Sequence, residues 1–303
     1  FINYNVMNIS DIFKYIISIG LIYIVLDNYG NDIINTVKLV NINYIIIIFL
    51  ISFAQYLLSA YRWMYISKHT DLNISFESSI RFYYISTFMN NILPGGIVGD
   101  IFRIYYHADN KMEFLQIGKS FQSVIFERLS GQIMLLSFFI TSLSLYFVLN
   151  EKYIAFFYLF IPLMIVFFSF KYLFKLKVKK YLRNKEYGKN FFKVFSGEVF
   201  WRHTILSFFV ISSYIFIYII SAMSLGLKID YVSFLVFSPI ILFSMTLPVS
   251  IGGWGVREFT ALLISFLLGL SASVSISVAI MYGVFNLICS LPGLYFFLKL
   301  RLR

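Results

Sequence analysis

Two stretches of similar sequence decide how this chain is organised: LPGGIVGDIFR at residues 93–103 and LPVSIGGWGVR at residues 247–257. Aligned without a gap, they share Leu, Pro, Ile, Gly and Arg, and in each the Arg follows the Pro by nine residues. Each stretch ends an apolar segment, residues 82–94 and residues 232–248, that is too short to cross a hydrocarbon core of about 30 Å. This pattern predicts a re-entrant or broken helix in both places, and a short core helix followed by a turn is the alternative.

The composition excludes water as the only solvent of the chain. Of its 303 residues, 60% are apolar or aromatic and 13% are charged, which is about half the roughly 25% of a soluble domain. A disordered chain, a nucleic-acid-binding module and an ordinary cytosolic enzyme are therefore excluded. The long apolar blocks predict an all-α, polytopic membrane protein.

About seven full transmembrane helices are predicted, near residues 9–26, 44–61, 124–149, 153–170, 204–225, 259–270 and 274–298. The sixth is short and is expected to begin near Trp254. Each broken helix is preceded by one span and followed by two, which predicts an inverted repeat whose broken helices form the site. The expected divisions are an N-terminal span and outer loop at 1–43, a first repeat at 44–174, a basic cytoplasmic loop at 175–203 and a second repeat at 204–303.

Positive charge is concentrated in one loop of the chain. Nine of the 25 Lys and Arg residues lie between residues 171 and 193, and cytoplasmic loops carry such an excess. We therefore expect a cell (inner) membrane protein whose loop 171–203 faces the cytoplasm. The same count places the basic C-terminus outside, against the usual bias. Three charges that precede the first broken helix are likewise interpreted as cytoplasmic loop charges: Arg62, Lys68 and Arg81.

Several motifs carry a resemblance to a known family. They are Arg62-Trp63, residues 88–91 leading into Leu93-Pro94-Gly95-Gly96, Gly99-Asp100 with Arg103, Glu127-Arg128-Leu129, and residues 247–258. In this order they resemble the flippase-like transmembrane family, which includes the membrane region of lysylphosphatidylglycerol synthases, over nearly the whole chain from about Tyr44. In those synthases a soluble aminoacyl-transfer domain follows. The sequence ends at Arg303 without it, so the resemblance implies lipid translocation without synthesis, by a protein that is not an enzyme.

The glycines of the two breaks predict a cavity inside the membrane. Glycine lets the backbone approach a ligand, and irregular backbone at membrane depth is tolerated only where it is buried in protein or lines a watery space. Asn90 and Asn91 either line the cavity or cap the broken helix, and Asn286 is expected to hydrogen-bond between helices. The glycines predicted to line the cavity are Gly95, Gly96, Gly252 and Gly253.

Three arginines are predicted to hold the phosphate of a lipid in that cavity. A charge at bilayer depth is costly unless it is paired, and a guanidinium offers a phosphate two parallel donors that Lys lacks. Arg103, Arg128 and Arg257 are therefore the predicted substrate-binding residues. A purely structural ion-pair network that pins the broken helices is the alternative.

Three carboxylates, those of Asp100, Glu127 and Glu258, are predicted to gate the cavity through ion pairs. Asp100 and Arg103 share a helical face. Neighbours such as Arg257 and Glu258 point about 100° apart on a helix, so they are expected to pair elsewhere, across the repeats, as is Glu127. A lipid phosphate would displace a carboxylate and shift the repeats between inward-open and outward-open forms. Proton uptake by Glu127 or Glu258 is a further alternative.

Together these features predict a flippase-like transporter that moves a phosphate-bearing amphiphile, either a phospholipid or a polyprenyl-phosphate-linked sugar, between leaflets. A small organic-anion carrier and a non-transporting accessory subunit of a lipid synthase or glycosyltransferase are the alternatives. The three His residues show no metal-ligand spacing, so no metal site and no cofactor are predicted. The expected partners are membrane lipids, anionic headgroups at the basic loop and, as an option, a membrane enzyme. Nucleic acid is not expected as a partner.

Overall fold

The computed structural model describes residues 9–38, 40–94, 96–107, 114–149, 186–247 and 249–301, and this part of the chain is almost entirely helical. Its α-helices are α1 (Ile9–Val37), α2 (Ile42–His69), α3 (Phe76–Ile92), α4 (Val98–His107), α5 (Phe114–Leu149), α6 (Glu186–Val194), α7 (Gly197–Ser224), α8 (Tyr231–Ser244), α9 (Val256–Leu263), α10 (Ala272–Ser290) and α11 (Pro292–Arg301). The predicted all-α fold class is confirmed. The predicted span 153–170 and residues 171–185 of the basic loop lie outside the described residues.

Within the described residues, four helices are long and apolar enough to cross a membrane: Ile42–His69, Gln116–Leu149, Gly197–Ser224 and Ala272–Leu300. At about 1.5 Å per residue, each exceeds the roughly 30 Å of a bilayer's hydrocarbon core. They coincide with the predicted spans near 44–61, 124–149, 204–225 and 274–298. The first predicted span falls within α1, a helix of 29 residues that is not among these four. The chain is a helical membrane protein.

The predicted sixth span, near residues 259–270, is wrong. α9 ends at Leu263 after eight residues, which amounts to only about 12 Å of helix. A 3₁₀ turn, Ser265–Leu268, follows, and Gly269 then takes a left-handed conformation with a φ of 66°. α9 packs against α10 and is the second arm of a broken helix.

α2 continues well past its predicted end near residue 61. Trp63 and Ile66 are fully buried, so the core-facing stripe of this helix extends to its last residue, His69. Arg62 consequently lies inside the helix and is itself buried. Its interpretation as a loop charge is wrong. The same interpretation is wrong for Lys68, in the last turn of α2, and for Arg81, which lies in α3.

Two groups of helices follow the same order in the two halves of the chain. The first half consists of α2, α3, α4 and α5, which are long, short, short and long, and the second half repeats that order in α7, α8, α9 and the α10–α11 pair. The halves also exchange partners, since α3 packs on α10 and α11 as α8 packs on α5, and the equivalent helices α2 and α7 pack along each other. A two-fold relation requires this exchange, which supports a repeat. In the second half, one long span follows the broken helix, where two full spans were predicted.

The hydrophobic core lies mostly in the second half. Tyr218 of α7 and the α8 residues Phe234 and Ile241 are fully buried in it, and α7 packs on both α8 and α10. Large apolar side chains that point away from this core, such as Leu50 of α2 and Phe209 of α7, are exposed, as expected of helices that face acyl chains. Buried charged groups lie mainly between α2, α4 and α5, and this polar region positions the candidate site.

Candidate anion-binding cavity

The two helix breaks touch each other through their backbones. Pro94 of the first break and Ile251 of the second form an antiparallel bridge. Gly252 has a φ of 54°, and a Cβ added to it would lie 2.6 Å from the carbonyl oxygen of Asn91. Glycine is therefore required at position 252 both by its conformation and by contact with the opposite break. Gly95, also predicted to line the cavity, lies outside the described residues.

Asn90 holds the start of α4. The side-chain oxygen of Asn90 accepts a hydrogen bond of 2.8 Å from the N–H of Gly99, in the first turn of that helix. This is the capping role that the sequence offered as one alternative. A Cβ at Gly99 would overlap the main chain of Ser86, so α3 and α4 pack almost backbone to backbone.

Asn91 connects the two halves through side-chain hydrogen bonds. Its Nδ2 donates to Ser290 Oγ at 3.2 Å, and its Oδ1 accepts from Asn286 Nδ2 at 3.3 Å. Both partners lie on α10. The expected hydrogen bond of Asn286 between helices is therefore present, and it fixes the end of α3 to the second half.

Five charged side chains from α2, α4 and α5 form a continuous network, the arginine cluster: Arg62, Asp100, Arg103, Glu127 and Arg128. Glu127 bridges two arginines, since it forms an ion pair with Arg62 and its Oε2 lies 2.9 Å from Arg103 Nη2. Asp100 Oδ1 accepts hydrogen bonds from Arg103 Nη2 at 2.7 Å and from Arg103 Nε at 3.1 Å. The other oxygen of Asp100 pairs with Arg128. The expected pairing of Asp100 with Arg103 on one helical face is therefore observed.

Burial separates Arg128 from the rest of the arginine cluster. The Arg103 side chain is 3% exposed, whereas the Arg128 side chain is 31% exposed. The guanidinium of Arg103 lies 5.0 Å from the ring centroids of both Trp63 and Tyr83, which adds cation–π attraction to its ion pairs. Arg128 Nη2 donates to the Gly96 carbonyl at 2.7 Å. Arg128 is thus the accessible member of the cluster, and it is bonded to the first helix break.

The electrostatics of the arginine cluster favour an anion. Three guanidinium groups and two carboxylates leave a formal charge of 3 − 2 = +1. Among the described residues, two of its buried donors, Arg62 Nε and Arg103 Nη1, have no hydrogen-bond partner. Asp100 Oδ2 also lacks a hydrogen bond there, but it forms its ion pair with Arg128. Since buried charges and donors are costly when they are not compensated, a negatively charged ligand would stabilise this arrangement.

A cavity of about 230 Å³ lies beside the arginine cluster, and all five cluster residues belong to its wall. The second half contributes Tyr214, Thr246 and Tyr282 to the same wall. Most of the predicted site residues line it, namely Asn90, Asn91, Gly96, Asp100, Arg103, Glu127, Arg128 and Gly252. Three of them are outside its described lining, namely Gly253, Arg257 and Glu258. The structure therefore brings the first-half arginines together and leaves Arg257 apart from them.

Arg257 and Glu258 form a separate ion pair at the start of α9. Arg257 Nε donates to Glu258 Oε1 at 2.9 Å, and Glu258 Oε2 accepts from the Gly255 N–H at 2.7 Å. The expectation that these neighbours pair elsewhere is wrong, because Glu258 folds back to cap the first turn, where the long Arg257 side chain reaches it. The Arg257 guanidinium lies 4.7 Å from the ring centroid of Trp254 and 5.8 Å from that of Tyr282, a wall residue.

The polar side-chain contacts described between the two halves are hydrogen bonds. Ion pairs across the repeats were expected. Within the described residues, the carboxylates of the site pair with arginines of their own half. Arg62 Nη1 donates to Ser207 Oγ of α7 at 3.1 Å. Ser207 Oγ lies 2.7 Å from Ser130 Oγ, which lies 2.9 Å from His203 Nδ1. A row of neutral groups thus connects the arginine cluster with α7.

Among the residues of the cavity wall that sequence reasoning missed are Arg62, Tyr83 and Tyr214. A signal existed for Arg62, since an arginine that follows a long apolar run within one helix marks a candidate functional site. No comparable signal existed for the two tyrosines, because the chain contains 23 Tyr residues and most of them belong to apolar blocks.

Comparison with known proteins gives one curated relative and one family. The UPF0104 membrane protein MJ1595 of Methanocaldococcus jannaschii is 29% identical to this chain over 147 residues, which are 48% of the chain and 41% of that protein. The match thus spans about two fifths of the relative's length. No solved structure matches the chain significantly. The model of the Lysylphosphatidylglycerol synthase TM region matches residues 12–293, nearly the whole sequence, and the chain therefore belongs to that family, as its motifs predict.

Proposed function

We propose that the protein is a transporter that moves a phosphate-bearing amphiphile, a phospholipid or a polyprenyl-phosphate-linked sugar, between the leaflets of a membrane. The observation that carries this proposal is a cavity between the two halves whose wall holds three arginines and two carboxylates. Membership of the family agrees with a lipid-related role. Movement of the lipid changes none of its bonds, so the proposed protein is not an enzyme.

The phosphate group is the part of the lipid that fits the arginine cluster. A phosphodiester carries one negative charge, which balances the formal charge of +1 of the cluster. Phosphate oxygens accept hydrogen bonds from guanidinium groups with good geometry. Arg62 Nε and Arg103 Nη1 are donors without a hydrogen-bond partner in the described part of the chain, and in the proposed complex they bind phosphate oxygens once the cluster opens.

Arg128 is the proposed first contact of the phosphate. Its side chain is the accessible one, and its protein partners are the carboxylate of Asp100 and the carbonyl of Gly96. A phosphate oxygen that replaces Asp100 on Arg128 releases that carboxylate and weakens the bond to the first helix break. Lipid binding is thereby connected with the backbone of the break. Such a difference in contacts is what a ligand needs to shift a conformational equilibrium.

The acyl or prenyl chains stay in the bilayer during the proposed movement. A cavity of about 230 Å³ has room for a headgroup but not for long hydrocarbon chains. Because both halves contribute to the wall, movement of one half against the other opens the cavity to either side. The Arg257–Glu258 pair lies against the wall residue Tyr282. We therefore assign Arg257, predicted as a substrate contact, to support of the wall.

The proposed location is the cell (inner) membrane, with the basic loop 171–203 on the cytoplasmic side. Lys189 and Lys193 of α6 are exposed, and basic residues at a membrane surface are attracted to anionic headgroups. Membrane lipids are the proposed partners. The proposed moving parts are the repeats at 44–174 and 204–303.

A carrier for a small organic anion is the second candidate. The observation that favours it is the cavity volume of about 230 Å³, which also encloses a free anion the size of glycerol phosphate. The same arginines would bind such an anion. Lipid movement and anion uptake therefore have to be measured on the same preparation.

Leaflet-resolved lipid movement in proteoliposomes tests the proposed function. The intact chain is compared with Arg128→Ala and with the matched control Arg81→Ala, since Arg81 is 42% exposed and pairs with Glu77 away from the cavity. Loss of a charge-assisted hydrogen bond of about 1.5–3 kcal/mol predicts lipid movement about 10–100 times slower in Arg128→Ala. The control is expected to match the intact chain.

Equal rates in Arg128→Ala and in the intact chain contradict the proposed function. Uptake of labelled glycerol 3-phosphate without lipid movement supports the small-anion carrier instead. Thermal unfolding of each variant is recorded in parallel, and Arg128→Ala is expected to fold because its side chain is partly exposed.

A further inference from the structure

Every carboxylate oxygen of the arginine cluster is paired with an arginine. Glu127 Oε1 pairs with Arg62, and Glu127 Oε2 pairs with Arg103. Asp100 Oδ1 pairs with Arg103, and Asp100 Oδ2 pairs with Arg128. An ammonium group buried beside these residues would need a carboxylate of its own, and these two carboxylates are already used.

Other groups of the wall that would attract a positive charge are also used by the protein. The ring of Tyr83 lies against one buried guanidinium, and the ring of Tyr282 lies against another, so these π faces already hold cations. The side-chain oxygens of Asn90 and Asn91 both accept hydrogen bonds from other residues. A cationic headgroup would have to compete with each of these internal contacts.

Uncharged hydrogen-bonding groups are interspersed among the apolar side chains of the remaining wall. Thr87, Gln132, Tyr214 and Thr246 line the cavity. Thr87 and Thr246 donate their hydroxyl hydrogens to carbonyls of their own segments, at 2.9 and 2.8 Å, and each oxygen can still accept another hydrogen bond. Hydroxyl and amide groups of this kind bind the hydroxyl groups of a glycerol or a sugar.

We infer that the cavity selects a phosphodiester headgroup with one net negative charge and an uncharged, hydroxyl-bearing substituent, and that it rejects a headgroup that carries an ammonium group. This inference rests on the proposed function. A phosphodiester balances the charge of +1 of the arginine cluster, whereas an added positive charge is repelled in a buried site. Lysylphosphatidylglycerol, the lipid in the family's description, carries two ammonium groups on its lysyl moiety, and by this selection it is not the substrate of this chain.

Two lipid classes share the selected headgroup chemistry. Phosphatidylglycerol is a phosphodiester with a glycerol headgroup on a diacyl lipid. A polyprenyl-phosphate-linked hexose is a phosphodiester with a sugar headgroup on a prenyl chain. Because the cavity encloses the headgroup, the wall residues do not distinguish the two hydrocarbon parts, and a test has to include both lipids.

Native mass spectrometry of the full chain in detergent tests this selection. The probes are phosphatidylglycerol, a polyprenyl-phosphate-linked mannose, lysylphosphatidylglycerol and diacylglycerol, which lacks a phosphate. At least one of the two phosphodiesters with uncharged headgroups is expected to bind at least about tenfold more tightly than lysylphosphatidylglycerol and diacylglycerol.

Three variants separate binding in the cavity from binding to the basic surface of the protein. Arg128→Gln removes one charge of the arginine cluster and is expected to weaken phosphodiester binding about tenfold. Arg81→Gln, on the surface and outside the basic loop, is expected to leave it unchanged. Gln132→Glu adds a carboxylate to the wall with little change in shape, and it is expected to narrow the preference for phosphatidylglycerol over lysylphosphatidylglycerol at least about threefold.

The outcomes distinguish the selection from the proposed function. Equal affinity for phosphatidylglycerol and lysylphosphatidylglycerol, with both weakened by Arg128→Gln, overturns the selection and leaves lipid transport in place. Lipid binding that Arg128→Gln does not alter overturns the proposed function itself. Tighter binding of either phosphodiester, sensitive to Arg128→Gln, supports the selection and identifies the lipid class.

Discussion

Arg103 and Arg257 occupy equivalent positions in the two repeated motifs, yet they lie in different surroundings. Each guanidinium is buried and lies near two aromatic rings. Arg103 belongs to a network with an excess positive charge and lines the cavity. Arg257 is neutralised by its neighbour Glu258 and lies outside the described lining.

This difference teaches that the motif specifies the burial of an arginine and does not by itself specify contact with a ligand. Two aromatic rings and one carboxylate are enough to hold a buried guanidinium. Contact with a ligand needs, in addition, uncompensated charge and an accessible side chain, which the first half supplies through Arg128. The first half therefore carries the proposed binding function, and the Arg257–Glu258 pair of the second half carries a supporting one.

Removal of the Glu127 carboxylate is expected to have the largest effect on stability. Glu127→Ala deprives two buried arginines of a partner, and removal of one member of a buried ion pair costs about 3–5 kcal/mol. Glu258→Ala deprives one buried arginine, Arg257, and one main-chain donor, the Gly255 N–H, so its effect is expected to be smaller. Thermal unfolding in detergent, followed by circular dichroism, measures both variants.

Glu77→Ala is the control for this pair of variants. Glu77 is 75% exposed and pairs with Arg81 on the surface, so its loss is expected to cost less than about 1 kcal/mol. If Glu258→Ala proves less stable than Glu127→Ala, the second half carries the more important charges, and the division of roles is reversed.

Alanine at the two glycines of the breaks compares the breaks themselves. Gly96 and Gly252 both have a positive φ, but a Cβ at Gly96 meets no atom within 4 Å, whereas at Gly252 it would meet the backbone of Asn91. Gly96→Ala is expected to cost about 1–2 kcal/mol from the left-handed conformation alone. Gly252→Ala adds overpacking, for a total of about 2–4 kcal/mol. Similar melting temperatures for the two variants would contradict the backbone contact between the breaks.

Replacement of whole ion pairs gives the smallest expected effect and separates the two roles most directly. Arg257→Met with Glu258→Gln removes the charges and keeps the cap of α9, so lipid movement in proteoliposomes is expected to stay within about twofold of the intact chain. Arg103→Met with Asp100→Asn removes a phosphate donor, and lipid movement is expected to slow about tenfold. An equal loss in both double variants would assign ligand contact to both halves.

The helical fold and the two breaks could be predicted because they depend on local chemistry. Apolar runs of defined length, ended by Leu-Pro and glycine, indicate where a helix begins and stops. The end of α2 could not be predicted in this way. Arg62 was interpreted as a loop charge because its partners Glu127 and Ser207 are distant in the sequence and lie beside it only in the folded protein. The prediction of the sixth span was wrong for a related reason, because an apolar composition does not reveal the turn at Gly269.

The candidate site was predictable where one helix contains both partners. Asp100 and Arg103 follow from their spacing. The side chains of Arg257 and Glu258 were expected to point apart, as those of neighbours do inside a helix. Both residues lie in the first turn of α9, where a carboxylate can fold back to the N-terminal N–H group. Tyr282 of α10 lies in the cavity wall, and Arg257 packs against its ring. This arrangement depends on how the helices pack and cannot be deduced from the sequence.

The bridge between Pro94 and Ile251 joins the two halves through main-chain atoms. Such a main-chain contact does not depend on which side chains surround it, except at Gly252, where no Cβ fits. The residues on either side of the bridge can therefore differ between the two halves without separating the two helix breaks. A symmetric backbone can in this way carry an asymmetric cavity wall. One half presents charged side chains to the proposed ligand, and the equivalent part of the other half supports the wall.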